Sequence, residues 1–166
     1  MKKYILLIIL VLSISVSAQD LALNEIDEET GYHITTTKFY TIGESQTQGG
    51  LMASLVRIVS SGDHYFVKVK STKSNFGCSG NRDSYIQFSL EDGTIMELSN
   101  DIMDSDCNGD SISGFVLTKD QFIKLETTRL NKIKFNQGRG YANYETAGEY
   151  ALHQIAVALI DYKNKY

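Results

Sequence analysis

From Tyr32 onward, apolar side chains recur at every second position in run after run, and that period specifies strands as the main building element. In Tyr65–Ser71, Tyr65, Val67 and Val69 share one face while Lys68 and Lys70 share the other. Such a strand has one side in a core and one in water. Ile86, Phe88 and Leu90 likewise alternate with Tyr85, Gln87 and Ser89. The next residues, Asp92-Gly93, suit a two-residue hairpin turn, because both central positions of a type I′ turn need positive φ. Further runs rich in Thr, Tyr, Val, Ile and Phe predict strands over Tyr32–Thr41, Leu51–Val59, Thr94–Leu98, Ile112–Leu117 and Arg129–Phe135. Gly43 to Gly50 and Ser60 to Asp63 read as the loops between the early ones.

Two segments break the alternation. Thr118 with Gln121 three residues on is a capping-box signature that opens a short helix anchored by Phe122, Ile123 and Leu125. Near the end, Leu152, Ile155, Ala156, Leu159 and Tyr162 fall at helical spacing. With Thr146 and Glu149 as its capping pair, this predicts a helix from Glu145 to Lys163. The expected fold is α+β, mainly β: an antiparallel sheet, partial barrel or sandwich of about seven strands, with one short helix and a C-terminal helix packed on it.

The first residues follow a different logic. Lys2 and Lys3 precede the apolar run Tyr4–Leu12, and small residues then lead to Val16, Ser17 and Ala18. That is a secretory signal over residues 1–18, too short in its apolar part to span a bilayer, which takes about 20 apolar residues. Export to the periplasm or the medium is expected, with no membrane anchor after cleavage. Residues 19–31 carry Glu25, Asp27, Glu28 and Glu29 and read as an acidic, loosely docked leader, which leaves 32–166 as a single β-rich domain. Removing Lys2 and Lys3 from 16 basic residues leaves fourteen against 20 acidic ones, a net charge of −6. A surface of that sign repels phosphate backbones, which argues against nucleic acid as a partner.

Export also changes the meaning of the cysteines. Cys78 and Cys107 are the 2 cysteines of the chain, and an even count in an exported protein points to a disulfide between them. Closing that loop would contribute roughly 3 to 4 kcal/mol on the chain-entropy account. A nucleophilic thiol at Cys78, within Gly77-Cys78-Ser79-Gly80, is the less favoured alternative, because a lone thiol outside the cell is open to oxidation.

Several segments together resemble small uncharacterised exported β-rich domains of Gram-negative bacteria. They are Phe88 to Thr94, Cys107-Asn108-Gly109, Phe115-Val116-Leu117-Thr118 and Leu130 to Phe135, within roughly residues 64 to 160. The resemblance implies a fold and an envelope or secreted setting; it carries no activity and no catalytic residue.

The sharpest local motif is Asp104-Ser105-Asp106-Cys107-Asn108-Gly109-Asp110. Oxygens at alternate positions before a glycine match the first half of a calcium loop, so Asp104, Asp106, Asn108 and Asp110 are candidate ligands. The twelfth position, where a bidentate Glu normally closes the shell, is Phe115, so Asp101 or Asp83 would have to complete the site. An acidic, solvated Asx turn explains the same residues. His33, His64 and His153 lie on different elements without metal-ligand spacing. No G-x-S-x-G elbow is present, and Glu91, Asp92 and Glu97 sit on a hairpin whose Asp-Gly already has a structural reason. Arg139 between two glycines suits a turn before it suits an anion site. Tyr141, Tyr144 and Tyr150 cluster in sequence where an aromatic binding face would, for a protein or glycan partner, although no tryptophan accompanies them. The leading expectation is therefore an exported, non-enzymatic domain with a binding or structural role. A secreted hydrolase and a calcium-stabilised domain are the alternatives.

Overall fold

The alternating runs are paired, one against the next, in a computed structural model that describes residues 21–46, 48–72, 84–102, 112–136, 141–146 and 150–163. Among the described residues ten strands form one antiparallel sheet: β1 (Leu21–Ile26), β2 (His33–Thr37), β3 (Tyr40–Ser45), β4 (Gly49–Val59), β5 (Asp63–Ser71), β6 (Tyr85–Leu90), β7 (Ile95–Ile102), β8 (Ile112–Leu117), β9 (Leu130–Asn136) and β10 (Tyr141–Thr146). Among the described residues two helices accompany it, α1 (Lys119–Thr127) and α2 (Ala151–Lys163). The fold class read from the sequence is the one observed.

The sheet closes on itself. β4 pairs with both β3 and β5, so the order β3-β10-β9-β6-β7-β8-β5-β4 returns to β3 and makes an eight-stranded ring. β2 and β3 lie end to end along the same edge of β4, at Val56–Val59 and Gly49–Ala53 respectively. β1 adds an outer strand to β2. Closure leaves few edges to solvent, and it turns one face of every ring strand into a shared interior.

The registers define two rims. Val59 opposite Asp63, Tyr65 opposite Leu117 and Leu90 opposite Leu130 mark the lower one. Leu51 opposite Ser71, Lys70 opposite Ile112 and Tyr85 opposite Asn136 mark the upper one. The lower half is filled by large side chains: Tyr65 stacks on Phe122 of α1 with ring centroids 4.2 Å apart, and Leu90, Met96, Leu117, Leu125 and Leu130 are buried around them. Leu152, Ile155, Ala156 and Leu159 of α2 belong to the same continuous core. α2 packs on β2, β3, β4 and α1.

α1 starts where the capping box predicts. The Gln121 backbone N–H donates to the Thr118 hydroxyl at 3.2 Å, and the Thr118 N–H donates to the Gln121 side-chain oxygen at 2.8 Å.

Three expectations are corrected. The acidic leader contains a strand: β1 pairs with β2 through a turn in which Asp27 accepts from the Thr30 N–H at 2.7 Å and from its hydroxyl at 2.6 Å, and Gly31 takes φ 69°. Turn chemistry at Asp27-x-x-Thr30-Gly31 outweighs the run of charge. The expected strand Tyr32–Thr41 is two strands, and the expected Gly43–Gly50 loop is mostly strand, because β3 runs to Ser45 and β4 starts at Gly49. The C-terminal helix begins at Ala151: Glu145 and Thr146, assigned to its first turn from the sequence, instead complete β10 opposite Glu44 and Gly43 and close the ring. Glu149, the other half of the expected capping pair, lies outside the described residues, and a capping-box spacing alone could not see the ladder that claims Thr146.

Candidate functional site

Several charged groups of the described residues are engaged with one another at the surface and lower rim. Asp92 accepts the Thr94 N–H at 3.0 Å and the Lys124 ammonium, which ties the β6–β7 hairpin to α1. That lysine, followed by the Thr94 bonds, lowers the Asp92 pKa to about 2. Glu91 faces Arg129 at 3.8 Å, and the Arg129 guanidinium lies over the Tyr150 ring at 4.6 Å. Glu97 accepts from the Gln87 amide at 2.6 Å. At the lower rim the Arg57 guanidinium donates to Asp63 at 2.9 Å and the Tyr65 hydroxyl donates to the other Asp63 oxygen at 3.2 Å. Burial, then the Asp63 charge, raises the Tyr65 pKa. These contacts join one element to the next.

The upper half of the interior differs in chemistry. By strand parity, Ser71 and Ser113 stand on the same face as Val67, Val69 and Phe115, and Tyr144 stands on the same face as Ile133, with which it is paired. Their exposures are 2% for Ser71, 1% for Ser113 and 1% for Tyr144. Charged neighbours in sequence, including Lys70, Glu44 and Glu145, have the opposite parity, and the Lys70 ammonium lies 5.0 Å from the Phe39 ring centroid.

Ser71 is the centre of this group. Its hydroxyl donates to the Gln48 carbonyl at 3.3 Å. Ser113 is opposite Val69, two residues away on the same face, which makes it a diagonal neighbour of Ser71. Gly43, Leu51 and Ser71 form one cross-strand row, and Tyr144 reaches over it from β10. Gly43 permits that approach: a Cβ there would stand 2.9 Å from the Tyr144 Cβ and 3.1 Å from the Ile133 Cδ1. The Tyr144 pKa is raised by burial, against a smaller lowering from the nearby Ser71 hydroxyl. The phenol therefore stays protonated through the physiological range. Among the described residues the buried Ser113 Oγ and Tyr144 OH on this face have no hydrogen-bond partner, and neither do Gln48 Oε1, in the turn before β4, and Arg57 Nε, at the lower rim.

Each such atom costs about 1–3 kcal/mol if nothing bonds it. Two on one interior face are an appreciable part of a domain's net stability, which is about 5–15 kcal/mol. A small molecule or ordered water carrying hydrogen-bonding groups would offset that cost. An eight-stranded barrel is of the size that holds about one small ligand when side chains do not fill it.

Of the residues singled out from sequence, Cys78, Cys107, Asp83, Asp104, Asp106, Asn108, Asp110 and Arg139 lie outside the described residues. Asp101 falls in β7. Among the described residues no group of three or more His, Cys, Asp or Glu side chains is arranged to hold a metal. His33 contacts the Asn24 side-chain oxygen at 2.7 Å, His64 is exposed on β5, and His153 contacts the Glu126 carbonyl from α2. The tyrosine cluster separates: Tyr144 is interior, whereas Tyr150 is exposed beside His153 and Arg129. No helix among the described residues is long and apolar enough to cross a membrane.

Ser113 and Ser71 were visible as a signal, since each is a hydroxyl at a core-parity position of a predicted strand. Tyr144 was a candidate from its sequence cluster, but its approach to Gly43 and Ser71 depends on ring closure. No protein-family model, curated protein or solved structure matches this chain.

Proposed function

We propose that this protein is an exported, non-enzymatic binding domain that takes a small molecule into the upper half of its barrel. The observation that carries this reading is the pair of buried, unpartnered hydroxyls of Ser113 and Tyr144 on the interior face that also holds Ser71. Binding is favoured over catalysis by what the charged groups do. Asp63, Asp92 and Glu97 are each held by a neighbouring donor that links secondary-structure elements, while the interior group is built from hydroxyls. Those are groups that recognise by hydrogen bonding and do not transfer protons readily near neutral pH.

Export is supported by the signal-like residues 1–18, and the Cys78–Cys107 disulfide belongs to the same proposal. Support for the disulfide comes from topology: β5, β6, β7 and β8, which flank the two cysteine-bearing segments, have the flanking ends at the upper rim.

The test is thermal unfolding of the mature protein with and without the low-molecular-weight fraction of its own culture. A rise in midpoint that Tyr144→Phe abolishes is the expected result. An unchanged midpoint, together with water-to-Tyr144 NOEs showing that ordered water occupies the group, would sink the reading.

A further inference from the structure

We propose that β1 offers its outer edge to an extended, cationic segment of another protein, which adds to the sheet as a further antiparallel strand. β1 stands at the end of the strand order, and among the described residues it pairs with β2 alone. The ladder fixes which groups face outward. The Asp27 N–H donates to the Tyr32 carbonyl at 2.9 Å, so these two residues form a hydrogen-bonded pair at the turn end of the ladder. Such pairs alternate along antiparallel strands, which makes Glu25 with Ile34 the next one. The N–H and C=O of Ile26, opposite His33, therefore turn away from β2 and toward the open edge.

An edge in this state is a template for pairing, and proteins usually blunt one with Lys, Pro, a bulge or a covering element. β1 contains neither Lys nor Pro. Its bulge lies between Leu21 and Leu23, which leaves Leu23–Ile26 in unbroken register. Side chains along that stretch are open on both faces of the strand: Leu23 is 38% exposed on one and Ile26 67% on the other. A strand laid beside β1 would cover both with its own alternating apolar side chains while its backbone completes the ladder.

Charge selects the occupant. The hairpin from Leu21 to Thr37 carries Glu25, Asp27, Glu28 and Glu29 and no Lys or Arg. Edge-to-edge pairing with a second copy would bring two such acidic hairpins together, so the same feature that attracts a cation discourages self-association. Asp27 is held in the turn by Thr30, whereas Glu25, Glu28 and Glu29 are exposed and have no ion pair among the described residues. The acidic turn follows the C-terminal end of β1, so an antiparallel segment brings its N-terminal end there. The fitting segment thus has Lys or Arg first and alternating apolar and polar residues after them.

The experiment uses the full mature chain and three blocked, fluorescently labelled peptides: KKVTITV, its charge-swapped form EEVTITV, and VTITVKK with the basic end reversed. Binding is read by anisotropy and by amide hydrogen exchange. KKVTITV is expected to bind at least about ten-fold tighter than EEVTITV. It should slow exchange at the Ile26 amide and leave the Glu25 amide, already in the β1–β2 ladder, unchanged. Glu28→Lys with Glu29→Lys should weaken KKVTITV about ten-fold at an unchanged unfolding midpoint, because both side chains are exposed. Of the two alternately N-methylated forms of KKVTITV, one should lose binding and the other keep it, since one set of N–H groups faces β1.

Binding without protection of Ile26, or by both N-methylated forms alike, would overturn the edge site. Equal binding of EEVTITV would overturn the cationic partner, and tighter binding of VTITVKK the antiparallel orientation. Protection of Ile26 that rises with protein concentration in the absence of peptide would assign the edge to a second copy instead. Failure of all three peptides to bind would overturn the proposal outright.

Discussion

Tyr144 lies against Gly43 so closely that a methyl group on the glycine would stand 2.9 Å from the tyrosine Cβ and 3.2 Å from the Glu145 carbonyl. The contact sits at the seam where, among the described residues, β10 meets β3 through two residue pairs, Glu145 with Glu44 and Thr146 with Gly43. Ring closure and the placement of the interior hydroxyl thus depend on the same missing side chain.

Gly43→Ala should cost about 1–3 kcal/mol, because the obstructing atoms are a Cβ and a backbone carbonyl that no rotamer change can move. Urea unfolding measures the loss. Hydrogen exchange should speed up first at Glu44 and Glu145, on either side of the seam; uniform acceleration through all strands would contradict a local effect.

Tyr144→Phe removes a buried hydroxyl that has no full hydrogen bond among the described residues. In ligand-free protein the variant should be as stable as wild type or gain up to about 1 kcal/mol. A loss greater than that would mean that the hydroxyl is well bonded in solution without a ligand.

Phe122→Ala should be among the most damaging single changes outside the ring, at about 3–5 kcal/mol. Phe122 is 2% exposed and stacks on Tyr65, which in turn donates to Asp63. The denaturation midpoint should fall with an unchanged slope.

The pH dependence of Asp92 has a definite sign. Its folded pKa of about 2 lies below the ordinary 3.8, so the unfolded chain takes up the proton first. The contribution of the Lys124–Asp92 contact is therefore full above about pH 4 and is lost as pH falls toward 2. Asp92→Asn should flatten the acid limb of the melting temperature between those values. Parallel limbs in wild type and variant would refute the link.

The proposed Cys78–Cys107 bridge predicts that neither thiol alkylates until a reductant is added. Cys78→Ser with Cys107→Ser should lower stability by roughly 3 to 4 kcal/mol. Alkylation of both thiols in the untreated protein would exclude the bridge.

Much of the architecture was written locally. Parity in Tyr65–Ser71 and Ile86–Leu90, the Asp92-Gly93 turn and the Thr118–Gln121 capping box act between residues a few positions apart, so the chain specifies them without reference to its far parts. The sequence by itself thus determined an antiparallel, mainly β fold with a short capped helix and a C-terminal helix. It also put hydroxyls at two core positions, Ser71 and Ser113. Only the tertiary structure decided that the sheet closes, that Thr146 joins a ladder instead of a helix, and that Tyr144 crosses Gly43 toward Ser71. Those outcomes pair segments about a hundred residues apart, and no local period encodes which edge a strand will find.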